Sequence, residues 1–160
     1  MNSWSVANSS FKTFIATFLF SVFLVTGCGT KTALEPNDFV DLIEQNGFKT
    51  TNVKEQFSAY SQIQNAFVAQ DTGMRYQLEY YQLDTEENAK KFFDGNKDIF
   101  EKMKNIKSHG EVNLGNYQQF TQDTDTAYSL LSRIDNTVIY ANVKIEYKDE
   151  VKKIIKKLGY

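Results

Sequence analysis

The pattern of apolar and polar residues predicts three amphipathic helices. Phe39 and Ile43 lie one helical turn apart, and Pro36 and Gly47 provide the start and stop signals that flank such a helix. The same spacing continues in a longer central segment, which opens with Asp84 in the cap position of a capping box, and in the C-terminal segment. The predicted helices cover residues 36–46, 84–103 and 147–158.

Alternating apolar and polar residues between these helices predict strands. The triplet that begins at Asp71 predicts a hairpin turn between residues 63–70 and 74–82. Asp135 and Asn136, which both tolerate positive φ, predict a second hairpin. The order of elements predicts an α+β domain, with an antiparallel β-sheet and about three helices packed on one face.

The ends of the first and last helices share one pattern. In residues 39–48 and 151–160, an apolar residue is followed by two variable positions, two apolar residues, three further positions, a glycine and an aromatic residue. A duplicated α-β-β-β unit with an additional final helix accounts for this pattern. The chemistry of helix ends alone also accounts for it, and the sequence leaves both interpretations open.

An apolar segment precedes the predicted domain. Residues 14–25 are mostly apolar, and this length is too short to cross a bilayer but typical of a signal-peptide core. The segment ends in Val25-Thr26-Gly27-Cys28, and Cys28 is the only cysteine of the chain. These four residues resemble the lipobox of bacterial lipoprotein precursors.

The resemblance implies an anchor on the extracytoplasmic face of the cell membrane. Val25, Thr26 and Gly27 would be recognised by the signal peptidase, and Cys28 would receive a diacylglycerol that inserts into the lipid bilayer. The implied parts are a cleaved signal peptide, a lipidated tether and a single α+β domain, at residues 1–27, 28–35 and 36–160. At ~3.5 Å per residue, the tether spans at most ~25–30 Å.

The charge balance bears on the class of partner. Removing residues 1–27, which contain one lysine and no acid, takes 18 basic side chains to 17 and leaves 20 acidic ones, so the formal charge becomes −3. This balance does not indicate nucleic-acid binding. With Cys28 as the only cysteine, the mature chain forms no internal disulfide.

Three short motifs are candidates for catalytic or metal-binding chemistry. The triplet at Asp71 matches the core of the aspartic-protease motif but has no second copy, which that chemistry requires. The triplet at Asp123 resembles the start of a calcium loop but lacks the later glycine and glutamate. His109 lies in a predicted polar loop, with no second histidine to complete a metal site. The sequence therefore predicts no catalytic residue, no metal and no cofactor.

Binding residues are predicted from exposed aromatic and basic side chains. Tyr81, Arg75 and Arg133 are predicted to contact a partner if one sheet face is uncovered. The lysines of the final helix are candidates for contact with anionic lipid or wall polymer, but their positions beside the apolar stripe fit an ordinary solvated face. The mature part also resembles small uncharacterised lipoproteins of Gram-positive bacteria. The resemblance is carried by residues 39–48, 88–93, 132–140 and 147–160. It implies an exported, anchored domain.

The sequence thus predicts a non-enzymatic, lipid-anchored binding or accessory domain that engages an envelope protein near the membrane. Two alternatives remain open. One is an envelope hydrolase that uses Asp71, Asp123 or Asp125, which requires a cleft holding a carboxyl group with a raised pKa. The other is a lipoprotein that binds a small ligand.

Overall fold

The computed structural model describes residues 30–160, which form one antiparallel sheet and three α-helices. The lipobox residues and the signal peptide predicted before them lie outside the described residues. The strands follow the order β1-β2-β3-β7-β6-β5-β4, and each pairs antiparallel with its neighbours. Their bounds are Phe48–Asn52 (β1), Ile63–Asp71 (β2), Gln77–Leu83 (β3), Ile106–Leu114 (β4), Tyr117–Thr124 (β5), Ala127–Ile134 (β6) and Thr137–Lys144 (β7).

The helices confirm the α+β class. They cover Pro36–Gln45 (α1), Glu86–Glu101 (α2) and Lys148–Lys157 (α3), with short 3-10 helices at Lys54–Phe57 and Ile145–Tyr147. Gly95 does not interrupt α2, as the apolar spacing predicted. None of the helices in residues 30–160 has the length and apolar character needed to cross a membrane.

The helices do not all pack on one face of the sheet. On β3, Tyr80 joins the core cluster under α1 and α3, whereas its neighbour Tyr81 joins the cluster under α2. Leu130 and Leu131 divide in the same way on β6. Because the central strands carry apolar side chains on both faces, each face requires a cover. The prediction that the helices share one face is therefore wrong for α2.

The element order does not repeat an α-β-β-β unit. Three strands follow α1 and four follow α2, and these two helices lie on opposite faces. The shared pattern coincides instead with glycines at positive φ, Gly47 at 86° and Gly159 at 83°. After each glycine an aromatic residue, Phe48 or Tyr160, turns into the same core cluster. Helix-end chemistry explains the pattern.

Two local predictions need correction. The N-cap of α2 is Thr85 rather than Asp84, because the Thr85 hydroxyl accepts the Asn88 N–H at 3.1 Å while Asp84 accepts from the Asn88 side chain at 2.7 Å. His109 lies in β4 and not in a loop. Every residue of this edge strand is exposed, so the apolar alternation that marks a half-buried strand is weak there.

Candidate functional site

An open groove of about 480 Å³ lies between α3 and the outer strands β4 and β5. Val151 and Ile155 pack α3 onto the central part of the sheet. The outer strands extend beyond that cover, and their uncovered face forms the floor of the groove. The groove is thus a consequence of a sheet that is wider than the two helices on this face.

Three lysines form the helical wall of the groove. Lys148, Lys152 and Lys156 are spaced by four residues and lie on one side of α3, spanning about 12 Å along its axis. Lys148 donates to Asp123 at 2.5 Å, and Asp123 also accepts from the Ser108 hydroxyl at 3.0 Å. Within residues 30–160, no carboxylate lies within 4 Å of the other two ammonium groups.

Neutral hydrogen-bonding groups form the floor. Gln119 and Thr121 of β5 face the groove, and Gly110 of β4 lies opposite Thr121. A Cβ at Gly110 would lie 3.2 Å from the Thr121 hydroxyl, so glycine keeps the floor open at this point. Burial raises the pKa of Tyr160 to about 12 and also raises that of Tyr128, so both phenols are neutral at physiological pH.

One end of the groove adjoins the N-terminal segment. The Asn116 side chain accepts the Lys31 N–H at 3.2 Å and donates to the Lys31 carbonyl at 2.7 Å. The Lys31 ammonium lies 3.7 Å from the centre of the Tyr117 ring, and burial lowers its pKa. Two phenols hold Leu34, because Tyr80 donates to its carbonyl at 2.6 Å and Tyr160 accepts its N–H at 3.4 Å.

These contacts shorten the free part of the predicted tether. Residues 31–34 lie against the domain instead of extending away from it. Cys28 precedes Lys31 by three residues in the sequence. Tyr117 and Tyr160 line the groove at this end, whereas Asp123 lies at the other end of β5. One end of the groove therefore adjoins the segment that begins at Lys31, and the groove runs away from that segment.

The structure does not bring the three predicted partner-binding residues together. Tyr81 is 6% exposed, and its ring packs against Phe57 and Phe92 at centroid distances of 5.5 and 4.7 Å. Arg133 is also buried, and its Nε donates to the Gln118 side chain at 2.7 Å. The predicted aromatic surface around Tyr81 is wrong because α2 covers that face.

Arg75 and Asp71 form the turn between β2 and β3. Burial opposes ionisation of Asp71, but hydrogen bonds from the Arg75 side chain and from the backbone N–H groups of Tyr76, Arg75 and Gly73 outweigh it and hold the pKa of Asp71 below its usual value. Arg75 also contacts Glu150 of α3 at 2.9 Å. The prediction of a turn is confirmed. The hydrolase hypothesis requires a carboxyl group with a raised pKa, whereas the pKa of Asp71 is lowered.

The other two candidate carboxylates are both paired with lysines. Asp123 contacts Lys148 in the groove, and Asp125 contacts Lys107 at 2.9 Å near the start of β4. In the described region, no three histidine, cysteine, aspartate or glutamate side chains are grouped so that they could hold a metal ion.

Sequence reasoning missed the groove although one signal was available. The lysines of α3 form two rows, and the row of Lys148, Lys152 and Lys156 faces the groove, whereas Lys153 and Lys157 line a smaller hollow beside α1. Spacing by four residues separates these rows in the sequence. What the sequence did not supply was the width of the sheet beyond α3.

Comparisons with known proteins give one similar solved structure and no family. Neither the family models nor the curated proteins compared with the chain gave a match. Among solved structures, the chain is similar to the crystal structure of a GTP binding regulator from Thermotoga maritima, with a TM-score of 0.48 and 12% identity. The alignment covers 82% of this chain and 90% of that chain.

Proposed function

We propose that the protein is a lipid-anchored, extracytoplasmic binding domain, and that the groove between α3 and strands β4 and β5 is its binding surface. The observation that carries this proposal is the position of the groove. It is open and lined by hydrogen-bonding side chains, and it begins beside the segment that leads to Cys28.

The short distance to the proposed anchor limits the choice of partner. Residues 31–34 are held against the domain, so only the residues between Cys28 and Lys31 separate the lipid from the folded chain. The partner is therefore a polar component of the envelope that lies at the membrane surface, such as an exposed segment of an envelope protein.

A small ligand is a second candidate for the groove. Its volume of about 480 Å³ lies within the range of small-molecule sites. Such sites are mostly apolar, whereas this groove is lined by lysines, glutamines and hydroxyl groups. The lining therefore favours a polar or charged ligand, whether small or part of a larger partner.

Site-specific crosslinking in intact cells tests the binding surface. A photoreactive amino acid at Thr121 is expected to give a discrete adduct, because this side chain lies in the floor of the groove. The control position is Lys90, an exposed residue of α2 on the opposite face. Equal adduct patterns at the two positions would contradict the assignment of the groove.

Replacement of Cys28 tests the anchor independently. The native protein is expected in the membrane fraction with the added mass of the lipid, and the Cys28→Ser protein without that mass. Identical masses and fractionation of the two proteins would show that the lipobox assignment is wrong.

A further inference from the structure

We infer that the groove binds a ligand with phosphate groups in series, which lie along Lys152 and Lys156. This inference rests on the proposed function, because it names the ligand class of the same groove. It concerns a chain of phosphates; an acidic peptide and a lipid headgroup are outcomes that the test separates from it.

The sign of the charge in the groove supports an anionic ligand. The lining contains three lysines and a single acidic side chain, Asp123, while the whole chain has a formal net charge of −2. Lys152 and Lys156 are exposed, and in the described part of the chain neither has a carboxylate partner. A groove of positive charge on an acidic protein attracts anions selectively.

The types of donor favour phosphate over carboxylate. Lysine binds phosphate as a point charge, and a phosphate group offers three acceptor oxygens where a carboxylate offers two. The two arginines of the chain, Arg75 and Arg133, lie outside the groove, and each already has partners. Gln119 and Thr121 supply neutral donors on the floor for the remaining phosphate oxygens.

The spacing of the lysines favours a chain of phosphates over a single one. The backbone positions of Lys152 and Lys156 are separated by about 6 Å along the helix axis, so successive phosphates of one chain can contact both ammonium groups. A linked second phosphate binds with a high effective concentration once the first is in place. Lys148 continues the row, but Asp123 holds it at 2.5 Å and competes with any ligand.

Binding to the detergent-purified protein tests the inference. The probes are orthophosphate, linear polyphosphate and polyglutamate of matched charge, measured by calorimetry at low and moderate salt. We expect polyphosphate to bind most tightly, and Lys152→Gln with Lys156→Gln to weaken its binding by about tenfold or more. The matched control is Lys153→Gln with Lys157→Gln, which removes the same charge from the other row of α3 and is expected to change the affinity less than about twofold.

Asp123→Asn provides a variant that is expected to gain affinity. Removing this carboxylate frees Lys148 and adds a third ammonium group to the row, so polyphosphate is expected to bind several-fold more tightly. A protein that merely folds poorly does not produce such a gain. Unchanged or weaker binding of polyphosphate by this variant would contradict the role given to the groove.

The remaining outcomes separate the ligand sources. Equal losses in the two double variants would show general electrostatic attraction and overturn the inference. Tighter binding of polyglutamate than of polyphosphate would indicate an acidic peptide. Displacement of polyphosphate by phosphatidylglycerol vesicles, at a lower concentration of lipid phosphate than of polyphosphate groups, would indicate lipid headgroups. Either result would overturn the assignment to a phosphate chain. A discrete adduct at Thr121 without polyphosphate binding would overturn this inference alone and leave the proposed function standing.

Discussion

Asn116 holds the backbone of Lys31 at both of its polar groups, accepting from the N–H at 3.2 Å and donating to the carbonyl at 2.7 Å. The same amide nitrogen lies 2.9 Å from the Asp135 carboxylate. One side chain in the β4–β5 turn thus joins the N-terminal segment to the β6–β7 turn. This junction determines which end of the domain faces the proposed anchor.

Asn116→Ala is expected to release the N-terminal segment. The variant loses three hydrogen bonds from a half-buried side chain, which lowers the free energy of unfolding by about 1–2 kcal/mol. Amide hydrogen exchange of residues 31–34 should accelerate while the exchange of β6 stays slow. Asn113→Ala, on the exposed part of the same hairpin, is the control and should change stability by less than about 0.5 kcal/mol. Equal exchange of residues 31–34 in both variants would contradict this role of Asn116.

Tyr81 is expected to contribute to stability rather than to a binding surface. Tyr81→Ala leaves a cavity against Phe57 and Phe92, and should lower the free energy of unfolding by about 3–5 kcal/mol in urea titrations. Tyr81→Phe keeps the ring and loses only the hydrogen bond to Glu79, so its cost should be about 0.5–1.5 kcal/mol. A loss below about 0.5 kcal/mol for the alanine variant would place this ring at the surface.

Asp71 is expected to give the protein an acid-sensitive stability. Its pKa in the folded state lies below the usual 3.8, because its hydrogen bonds favour the carboxylate. The resulting stability is therefore present above about pH 4 and is lost as the pH falls through the lowered pKa. Asp71→Asn should cost about 2–3 kcal/mol at pH 7, since an amide nitrogen cannot accept from the Gly73 N–H or Arg75 Nε.

The pH profile separates this effect from a general loss of stability. The difference between native and Asp71→Asn unfolding free energies should shrink from pH 5 toward pH 2, because the native carboxylate becomes protonated over that range. Asp125→Asn is the control, since its half-exposed ion pair with Lys107 contributes little. A difference that stays constant down to pH 2 would show that the charge of Asp71 is not the stabilising feature.

Most helices and strands could be predicted from the sequence because the apolar residues within each of them recur at one regular spacing. The positions of α1 and of the β6–β7 hairpin followed from apolar spacing and from turn residues. The placement of α2 was not predictable in the same way, since adjacent apolar residues such as Leu130 and Leu131 reveal a strand buried on both faces only when its neighbours are known. Part of the edge strand β4 has the polar pattern of a loop because both of its faces are exposed.

The candidate site was less predictable because it depends on tertiary arrangement. Tyr81 lies at a position of an alternating strand where the pattern predicts an exposed side chain. Only the position of α2 shows that it is buried. The lysines of α3 were visible in the sequence, but the groove exists because β4 and β5 extend beyond that helix. Likewise, no local pattern indicated that Asn116 binds a segment 85 residues away.

Alanine substitutions at two glycines should change stability in opposite directions. Gly159 has a φ of 83° at the end of α3, where an L-residue is strained although no atom lies within 4 Å of an added Cβ. Gly159→Ala should therefore lower the free energy of unfolding by about 1 kcal/mol. Gly95 also has open space around it but lies inside α2, so Gly95→Ala should raise stability by up to about 1 kcal/mol.

Urea unfolding of the two glycine variants and of the native protein measures both effects. The slope of the unfolding free energy against urea concentration should match that of the native protein, which checks that the unfolded state is unchanged. The strain at Gly159 acts on the last turn of α3 and on Tyr160, which holds Leu34 through its hydroxyl group. Hydrogen exchange at Leu34 should therefore accelerate in Gly159→Ala and stay unchanged in Gly95→Ala. Loss of stability in both variants would show that packing around the glycines, rather than backbone conformation, determines the outcome.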